Sequence, residues 1–243
     1  MSNIDLYINE IEKLVDRLKN VEKPNIEKAS QTIADAQKNG NWLYVFGTGH
    51  SHMIAEEFFY RAGGMVKIYP IFDTALMLHE GAVRSTALER LNGYAGALLD
   101  DYPVKAGDVI IIASNSGRNA VPVEMASEAK KRGMIVIAFT SINHSSQVTS
   151  RHSSGKRLFE MADIVIDNGG VFGDACIDAG HGKVAPTSTA IGATVINAIV
   201  ARVAEILIKD DAEVEFFASS NTDEGEKLNQ KFIDKYKDYV RSL

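Results

Sequence analysis

The sequence of 243 residues predicts an α/β fold built on a mainly parallel sheet of five strands. Apolar runs of strand length alternate with segments of helical periodicity along most of the chain. Residues 108–114, DVIIIAS, are rich in apolar β-branched side chains, which is typical of a strand covered on both faces. No repeat and no long linker divides the chain, so its 45% hydrophobic content predicts one core.

The N-terminal part of the chain is predicted to form two helices. In the first segment, apolar residues recur at helical spacing, at Ile4, Ile8, Ile11, Val15 and Leu18. Pro24 marks a break, and Asn25 is expected to cap a second helix that runs to about Lys38. The strand WLYVF follows and leads into a glycine turn, after which a third helix runs to Gly63.

The remaining segments continue the alternation of strands and helices. Strands are predicted for VKIYP, DVIIIAS, MIVIAFT and ADIVIDN, and helices for TALERLNGYAGALL, NAVPVEMASEAKKRG and TSTAIGATVINAIVARVAEILI. Helices of this length between strands imply right-handed crossovers and parallel pairing. Residues 190–208 contain Asn197, Arg202 and Glu205, so we interpret the last helix as packed in the fold and not as a membrane span.

Composition excludes several classes of partner. The formal net charge of −6 provides no basic surface for a nucleic acid backbone. The single cysteine, Cys176, cannot form an internal disulfide and fits a reducing compartment. The N-terminal residues lack the basic start and apolar block of a signal peptide. We therefore expect a cytoplasmic protein that binds neither nucleic acid nor membrane.

Two predicted strands end in segments that suit an anion. Loop 1, residues 47–51, reads GTGHS, and loop 2, residues 114–119, reads SNSGRN. Ligands bind parallel sheets at the carboxyl ends of their strands, which is where both loops lie. Hydroxyl donors, turn N–H groups and helix N-termini together favour a phosphate, and glycine allows the backbone to approach closely.

Other uses of loop 1 fit the sequence less well. A dinucleotide fingerprint needs a third glycine where this chain has His52, and no lysine of a P-loop follows. A nucleophile elbow needs a second glycine where this chain has Met53. A phosphate without a nucleotide is the reading that remains.

Loop 1 together with residues 108–141, DVIIIASNSGRNAVPVEMASEAKKRGMIVIAFTS, resembles the SIS (sugar isomerase) domain family. The segments ADIVIDN and APTSTAIG also fit its pattern, and the single-domain format is similar to that of phosphoheptose isomerases. The resemblance covers about residues 25–210, so we expect one SIS domain over 1–243, with an N-terminal helix at 1–24 and a C-terminal helical tail at 211–243. It implies a three-layer α/β/α sandwich of flavodoxin-like type.

The resemblance also implies a phosphosugar ligand and a homodimer or homotetramer with its sites near subunit interfaces. The serines of the two loops and Asn115 match phosphate-binding positions of the family, and residues 187–189 match the hydroxyl cluster that helps to line the sugar site. Asn119 departs from the pattern, since many members have threonine or serine there, but its amide can still donate a hydrogen bond. The residues predicted to bind the phosphosugar are Gly47, Gly49, His50, Ser51, Ser114, Asn115, Ser116, Gly117, Asn119, Thr187, Ser188 and Thr189.

Aldose–ketose isomerisation passes a proton between two carbons through an enediol and needs a positioned base. The position that matches the glutamate of phosphoheptose isomerases is Arg61 here. Other SIS isomerases take the base from the segment before loop 2, so we predict Glu80 as the base, assisted by His79 or His181. The alternative is a non-catalytic phosphosugar sensor.

The other acidic residues and the histidines are expected to have ordinary roles. Glu56, Glu57 and Glu89 are expected to be solvated carboxylates. His52 and Glu56 have the i, i+4 spacing of a metal-binding pair. Ordinary hydrogen bonding is the preferred interpretation of this pair, and we predict no metal and no cofactor.

Overall fold

The computed structural model describes residues 1–243. The strands are β1 (Leu43–Gly47), β2 (Ile68–Ile71), β3 (Val109–Ala113), β4 (Ile135–Thr140), β5 (Ile164–Asp167), β6 (Ala175–Asp178) and β7 (Lys183–Pro186). The helices are α1 (Asn3–Arg17), α2 (Lys23–Lys38), α3 (Met53–Phe58), α4 (Ala82–Leu88), α5 (Tyr94–Asp100), α6 (Ala120–Lys131), α7 (Ile142–Ser145), α8 (Ser188–Lys209) and α9 (Asp223–Tyr236).

The main sheet has five parallel strands in the order β2-β1-β3-β4-β5, which confirms the predicted sheet. The chain moves outward from β1 to β2 and then crosses back over β1 to reach β3. The direction in which strands are added therefore reverses between β1 and β3. In open α/β sheets, the crevice at such a reversal is where ligands bind.

Helices cover both faces of this sheet, so the molecule has three layers, as predicted. Side chains alternate between the two faces along a strand. In β1, Leu43 and Val45 point into a core shared with α2, α3 and α8, whereas Tyr44 and Phe46 point into a core shared with α5 and α6. All four are fully buried, which explains why this strand is apolar without interruption.

The N-terminal helices differ from the prediction at the expected break. α1 and α2 are continuous through a π-helical stretch at Leu18–Glu22. Pro24 lies in the first turn of α2, directly after the π-helical stretch, and the helix continues through it. Asn25 is consequently not a helix cap, and its Nδ2 instead donates to Glu22 Oε2 at 3.1 Å.

Two further segments differ from the prediction. The helix predicted at residues 86–99 is divided into α4 and α5 by Gly93, which has a φ of 90°. The strands β6 and β7 form an antiparallel hairpin that the sequence analysis did not predict. The C-terminal tail contains α9, and its residue Val240 is fully buried in the same core as Tyr44.

The apolar helix α8 passes the length and composition criteria for a membrane span. Half of its most apolar stretch is buried inside the fold, and it packs against α2 and α3. Its buried residues include Ile191, Val195 and Ile199. These contacts are those of a core helix, which is how the sequence was interpreted.

An ion-pair cluster joins the N-terminal helices to β5. Arg17 Nη2 lies 2.6 Å from Asp167 Oδ2 and 3.4 Å from Glu22 Oε1, and its Nη1 donates to the carbonyl of Asp167 at 2.8 Å. Glu22 is only 4% exposed. Removing one partner of a largely buried charge cluster leaves the other charges uncompensated.

We expect Arg17→Ala to lower the free energy of unfolding by about 1–3 kcal/mol, because Glu22 and Asp167 lose their cation. Lys19→Ala is the control, because Lys19 forms an exposed pair with Asp16 and should change stability by less than about 0.5 kcal/mol. Urea titration followed by circular dichroism measures both. Equal effects of the two substitutions would contradict the proposed importance of the cluster.

Candidate functional site

Loop 1 turns sharply as it leaves β1. A Cβ atom on Gly47 would lie 2.3 Å from the carbonyl oxygen of Ser51, so only glycine fits at this position. The amide of Ser51 donates to the carbonyl of Thr48 at 2.9 Å, and residues Gly49–His52 form a short 3₁₀ turn that leads into α3. Loop 1 therefore folds back tightly against the end of its own strand.

Loop 2 is shaped by a second constrained glycine. Gly117 has a φ of 57°, which favours glycine, and a Cβ atom there would lie 2.9 Å from Ser145 Oγ. Its amide donates to Ser114 Oγ at 3.2 Å. The carbonyl of Asn115 accepts from the Ser141 amide at 3.1 Å, which holds loop 2 against the end of β4.

The two loops converge on one small cavity of about 20 Å³, the loop cavity. The end of β5 and the first turn of α8 complete its wall. Its lining residues are His50, Ser51, Ile54, Ala113, Ser114, Asn115, Phe139, Asn168, Ser188 and Thr189. The remaining residues predicted to bind the phosphosugar belong to the adjoining turns without lining the cavity; they are Gly47, Gly49, Ser116, Gly117, Asn119 and Thr187.

Asn115 presents an unused donor in this cavity. Its Oδ1 accepts from Asn168 Nδ2 at 2.8 Å, which fixes the amide orientation, and its buried Nδ2 has no hydrogen-bond partner. The backbone N–H groups of Asn115 and Ser116 also have no acceptor within the protein. A buried donor without a partner is costly, so this arrangement suits a bound oxygen-rich group.

The sequence analysis missed Asn168. Its backbone N–H donates to the Thr140 carbonyl at 2.9 Å, and its side-chain Oδ1 accepts from the Gly170 backbone N–H at 2.8 Å. These bonds fix the side chain that orients Asn115. The available signal was its position, since Asn168 follows β5 directly, just as loops 1 and 2 follow their strands.

The start of α8 is held by Asp174. Its carboxylate accepts from the amides of Thr187 and Ser188 at 3.1 and 3.0 Å and from the hydroxyl of Ser188. Asp174 has a φ of 69°, a strained conformation for this residue that these bonds help to hold. Because Ser188 donates to Asp174, Thr189 is the hydroxyl of this turn that can donate into the cavity.

The residues predicted to be catalytic lie outside the lining of the cavity. Glu80 is exposed and accepts from Arg84 Nη1 at 3.0 Å. His181 lies in the exposed turn between β6 and β7. His79 is exposed and packs beside His52, with ring centroids 5.4 Å apart. His79 is therefore the one that the structure brings next to loop 1, and the three catalytic roles stay predictions.

His52, Glu56 and His79 offer ligand atoms within 4.8 Å of one another. His52 Nδ1 contacts the Gly49 carbonyl, which leaves Nε2 facing Glu56 Oε1 at 3.3 Å. Ligands at about 2.1 Å in a tetrahedral zinc site are about 3.4 Å apart, so His52 and Glu56 already have this spacing, whereas the full cluster is wider. Exposed groups of this kind also occur without a metal.

Glu89 joins the two loops, although the sequence analysis expected it to be solvated. Its Oε2 accepts from Thr48 Oγ1 at 2.8 Å, and its Oε1 accepts from Asn119 Nδ2 at 2.6 Å. Burial raises the pKa of the Glu89 carboxyl, against the opposing effects of the Thr48 hydrogen bond and of Arg90 and Arg151. No local sequence signal distinguishes Glu89, because both partners are distant along the chain.

We expect Glu89→Gln to increase stability at about pH 8. A carboxyl whose folded-state pKa is raised favours folding while it is protonated, and this contribution is lost as pH rises through the folded-state pKa. Glutamine stays neutral, so the melting temperature of the variant should exceed that of the wild type at about pH 8 and approach it at about pH 4. A pH series of thermal unfolding curves measures this. A constant difference across the series would contradict the expectation.

Comparison with known proteins places this fold and cavity in a family. The family model of the SIS domain matches residues 6–141. A UPF0309 protein of Oceanobacillus iheyensis is 46% identical over 246 residues, which cover 100% of both chains. A UPF0309 protein of Geobacillus thermodenitrificans is 42% identical over 242 residues, covering 99% of this chain and 97% of the relative.

Solved structures share the fold at low sequence identity. A phosphoheptose isomerase from Neisseria gonorrhoeae has a TM-score of 0.56 at 18% identity, covering 84% of this chain and 96% of the other. The Vibrio vulnificus NanR protein, complexed with ManNAc-6P, has a TM-score of 0.53 at 15% identity, covering 96% of this chain and 70% of the other. The family match and the full-length relatives show that the chain belongs to the SIS domain family.

Proposed function

We propose that this protein binds a phosphorylated sugar through its phosphate group in the loop cavity. The observation that carries the proposal is the buried Nδ2 of Asn115, which has no partner and belongs to a residue of the cavity lining. The free N–H group of Asn115 and the hydroxyls of Ser51 and Thr189 supply further donors. A phosphate has enough acceptor oxygens to satisfy these donors together.

Neutral donors suit an anion site in an acidic protein. The lining contains no lysine, arginine, aspartate or glutamate, so neither attraction nor repulsion from a full charge dominates at the wall. Oriented amide and hydroxyl dipoles interact more strongly with an anion in a partly buried site than they do in water. The net charge of −6 therefore does not prevent phosphate binding.

We further propose that the protein isomerises its ligand between aldose and ketose forms. The sugar would extend from the phosphate past loop 1, where His79 contacts His52. Glu80, the neighbour of His79, is the proposed base at C1–C2, with His79 or His181 exchanging a proton with the sugar oxygens. A phosphoheptose isomerase among the structural neighbours is consistent with this chemistry.

A phosphosugar sensor without catalysis is the second candidate. His50 is the only histidine of the lining, and no carboxylate belongs to the cavity wall. The NanR structure with ManNAc-6P provides a structural neighbour that is complexed with a phosphosugar. A sensor needs only the donors that hold the phosphate.

We also propose that the protein acts as a homodimer or homotetramer in the cytoplasm. The exposed apolar residues Ile4 (72% exposed) and Ile8 (50% exposed) on α1, and half of the apolar stretch of α8, support a self-association surface. The single cysteine is compatible with a reducing compartment.

We expect the wild type to incorporate solvent deuterium at C1 or C2 of a sugar phosphate, and Glu80→Gln to abolish this exchange while retaining binding. The measurement is NMR of a panel of five-, six- and seven-carbon aldose and ketose phosphates incubated in deuterated water. Thermal stabilisation by a sugar phosphate without any exchange would instead support the sensor. If no member of the panel stabilised the protein or exchanged, both the isomerase and the sensor proposals would be contradicted.

We expect Asn115→Asp to weaken sugar phosphate binding by about 100-fold or more, because a carboxylate would replace the free donor and repel the phosphate. Asn221→Asp is the matched control, since it makes the same charge change at an exposed residue outside the cavity. Isothermal titration calorimetry measures both variants. Similar affinities of the two would place the phosphate elsewhere.

A further inference from the structure

Glu89 lies between the two loops and is hydrogen-bonded to both of them. It caps the C-terminus of α4, and its carbonyl accepts from the Val121 amide in α6 at 3.0 Å. Its two carboxylate oxygens accept from Thr48, which lies in loop 1, and from Asn119, at the end of loop 2. One side chain therefore bonds both segments that shape the cavity, which are more than 60 residues apart in sequence.

The side chains of both partners bond to Glu89 and not to the start of their own helices. Thr48 and Asn119 are the N-cap residues of the 3₁₀ turn Gly49–His52 and of α6, respectively. Threonine and asparagine at this position usually accept from an amide of their own helix, a bond whose loss costs about 1 kcal/mol. Neither side chain makes that bond here. At α6 the Glu89 carbonyl accepts from the Val121 amide and Pro122 has no N–H group, so the Asn119 side chain has no cap bond to make there and bonds the Glu89 carboxylate instead.

The side-chain amide of Asn119 is held at both of its ends. The Nη1 of Arg151 donates to Asn119 Oδ1 at 2.7 Å, so the whole Asn119 amide is fixed between Glu89 and Arg151. The charged groups that act on Glu89 are Arg151 and Arg90, and both oppose the effect of burial on its pKa.

We infer that Glu89 is a positioning residue that holds loops 1 and 2 at the spacing required for the phosphate. This inference rests on the proposed phosphosugar site. Glu89 does not line the cavity, and both of its oxygens are already engaged, so it acts through Thr48 and Asn119 and not on the ligand. Its role needs two hydrogen bonds and does not need a negative charge.

The pair Glu89→Ala and Glu89→Gln tests this role. Glutamine can keep both bonds, because its carbonyl accepts from Asn119 and the Thr48 hydroxyl can turn to accept from its amide. Alanine keeps neither. We expect alanine to weaken binding of inorganic phosphate and of the tightest-binding sugar phosphate by about tenfold or more, and glutamine to change it by less than about threefold.

Hydrogen–deuterium exchange of the free protein provides a readout that needs no ligand. We expect Glu89→Ala to accelerate amide exchange in peptides spanning residues 47–53 and 114–120 by about tenfold, and Glu89→Gln to leave both unchanged. Thr48→Val should affect the first peptide and Asn119→Ala the second, which keeps the test valid if the alanine variant at position 89 does not fold.

The outcomes separate this inference from the proposed function. Unchanged exchange in Glu89→Ala, or in both single-arm variants, would overturn the positioning role whatever the ligand. Equal losses of binding in the alanine and glutamine variants would also overturn it, because they would show that the charge matters. A wild type that binds no phosphate, with exchange altered as expected, would overturn the proposed function and leave Glu89 as a link between the loops.

Discussion

The parallel pairing of β1 with β3 is the constraint on which the site depends. Its register places Gly47 opposite Ala113, so both strands end at the same level of the sheet. Loops 1 and 2 consequently leave the sheet side by side, at the point where the strand order reverses. A shift of one residue in this register would turn the side chains of one strand to the opposite face and separate the loops.

Much of this arrangement could be predicted from sequence, because burial on both faces makes parallel strands apolar throughout. DVIIIAS and WLYVF are such strands, and the short polar segments after them could be assigned to the same edge of the sheet. The hairpin of β6 and β7 could not be predicted in the same way. Its residues are mostly exposed or half-buried, with Ile177 as its one buried residue, so it lacks the apolar pattern of a core strand.

Some side chains of the candidate site could likewise be predicted from the sequence, and others could not. Ser51, Ser114 and Asn115 follow strands directly and were predictable from position. Glu89 was not, because its environment is created by Thr48 and Asn119, each reached through the tertiary fold. Glu80 was singled out from its position in the sequence alone, and the structure shows it exposed and paired with Arg84. A carboxylate reveals its role through its partners, which a single sequence does not display.

The charge of Glu89 is a disadvantage that its position explains. A partly buried carboxylate is poorly solvated, and it also repels an anion bound nearby. Arg90 and Arg151 offset part of this charge. A carboxylate nevertheless has one property that a neutral amide lacks: both of its oxygens are acceptors, so it can accept from two donors at once. With glutamine, one of the two bonds depends on the Thr48 hydroxyl reversing its direction. Glutamate therefore holds the two loops in a single arrangement at some cost in stability, which is how preorganised sites commonly differ from the rest of a fold.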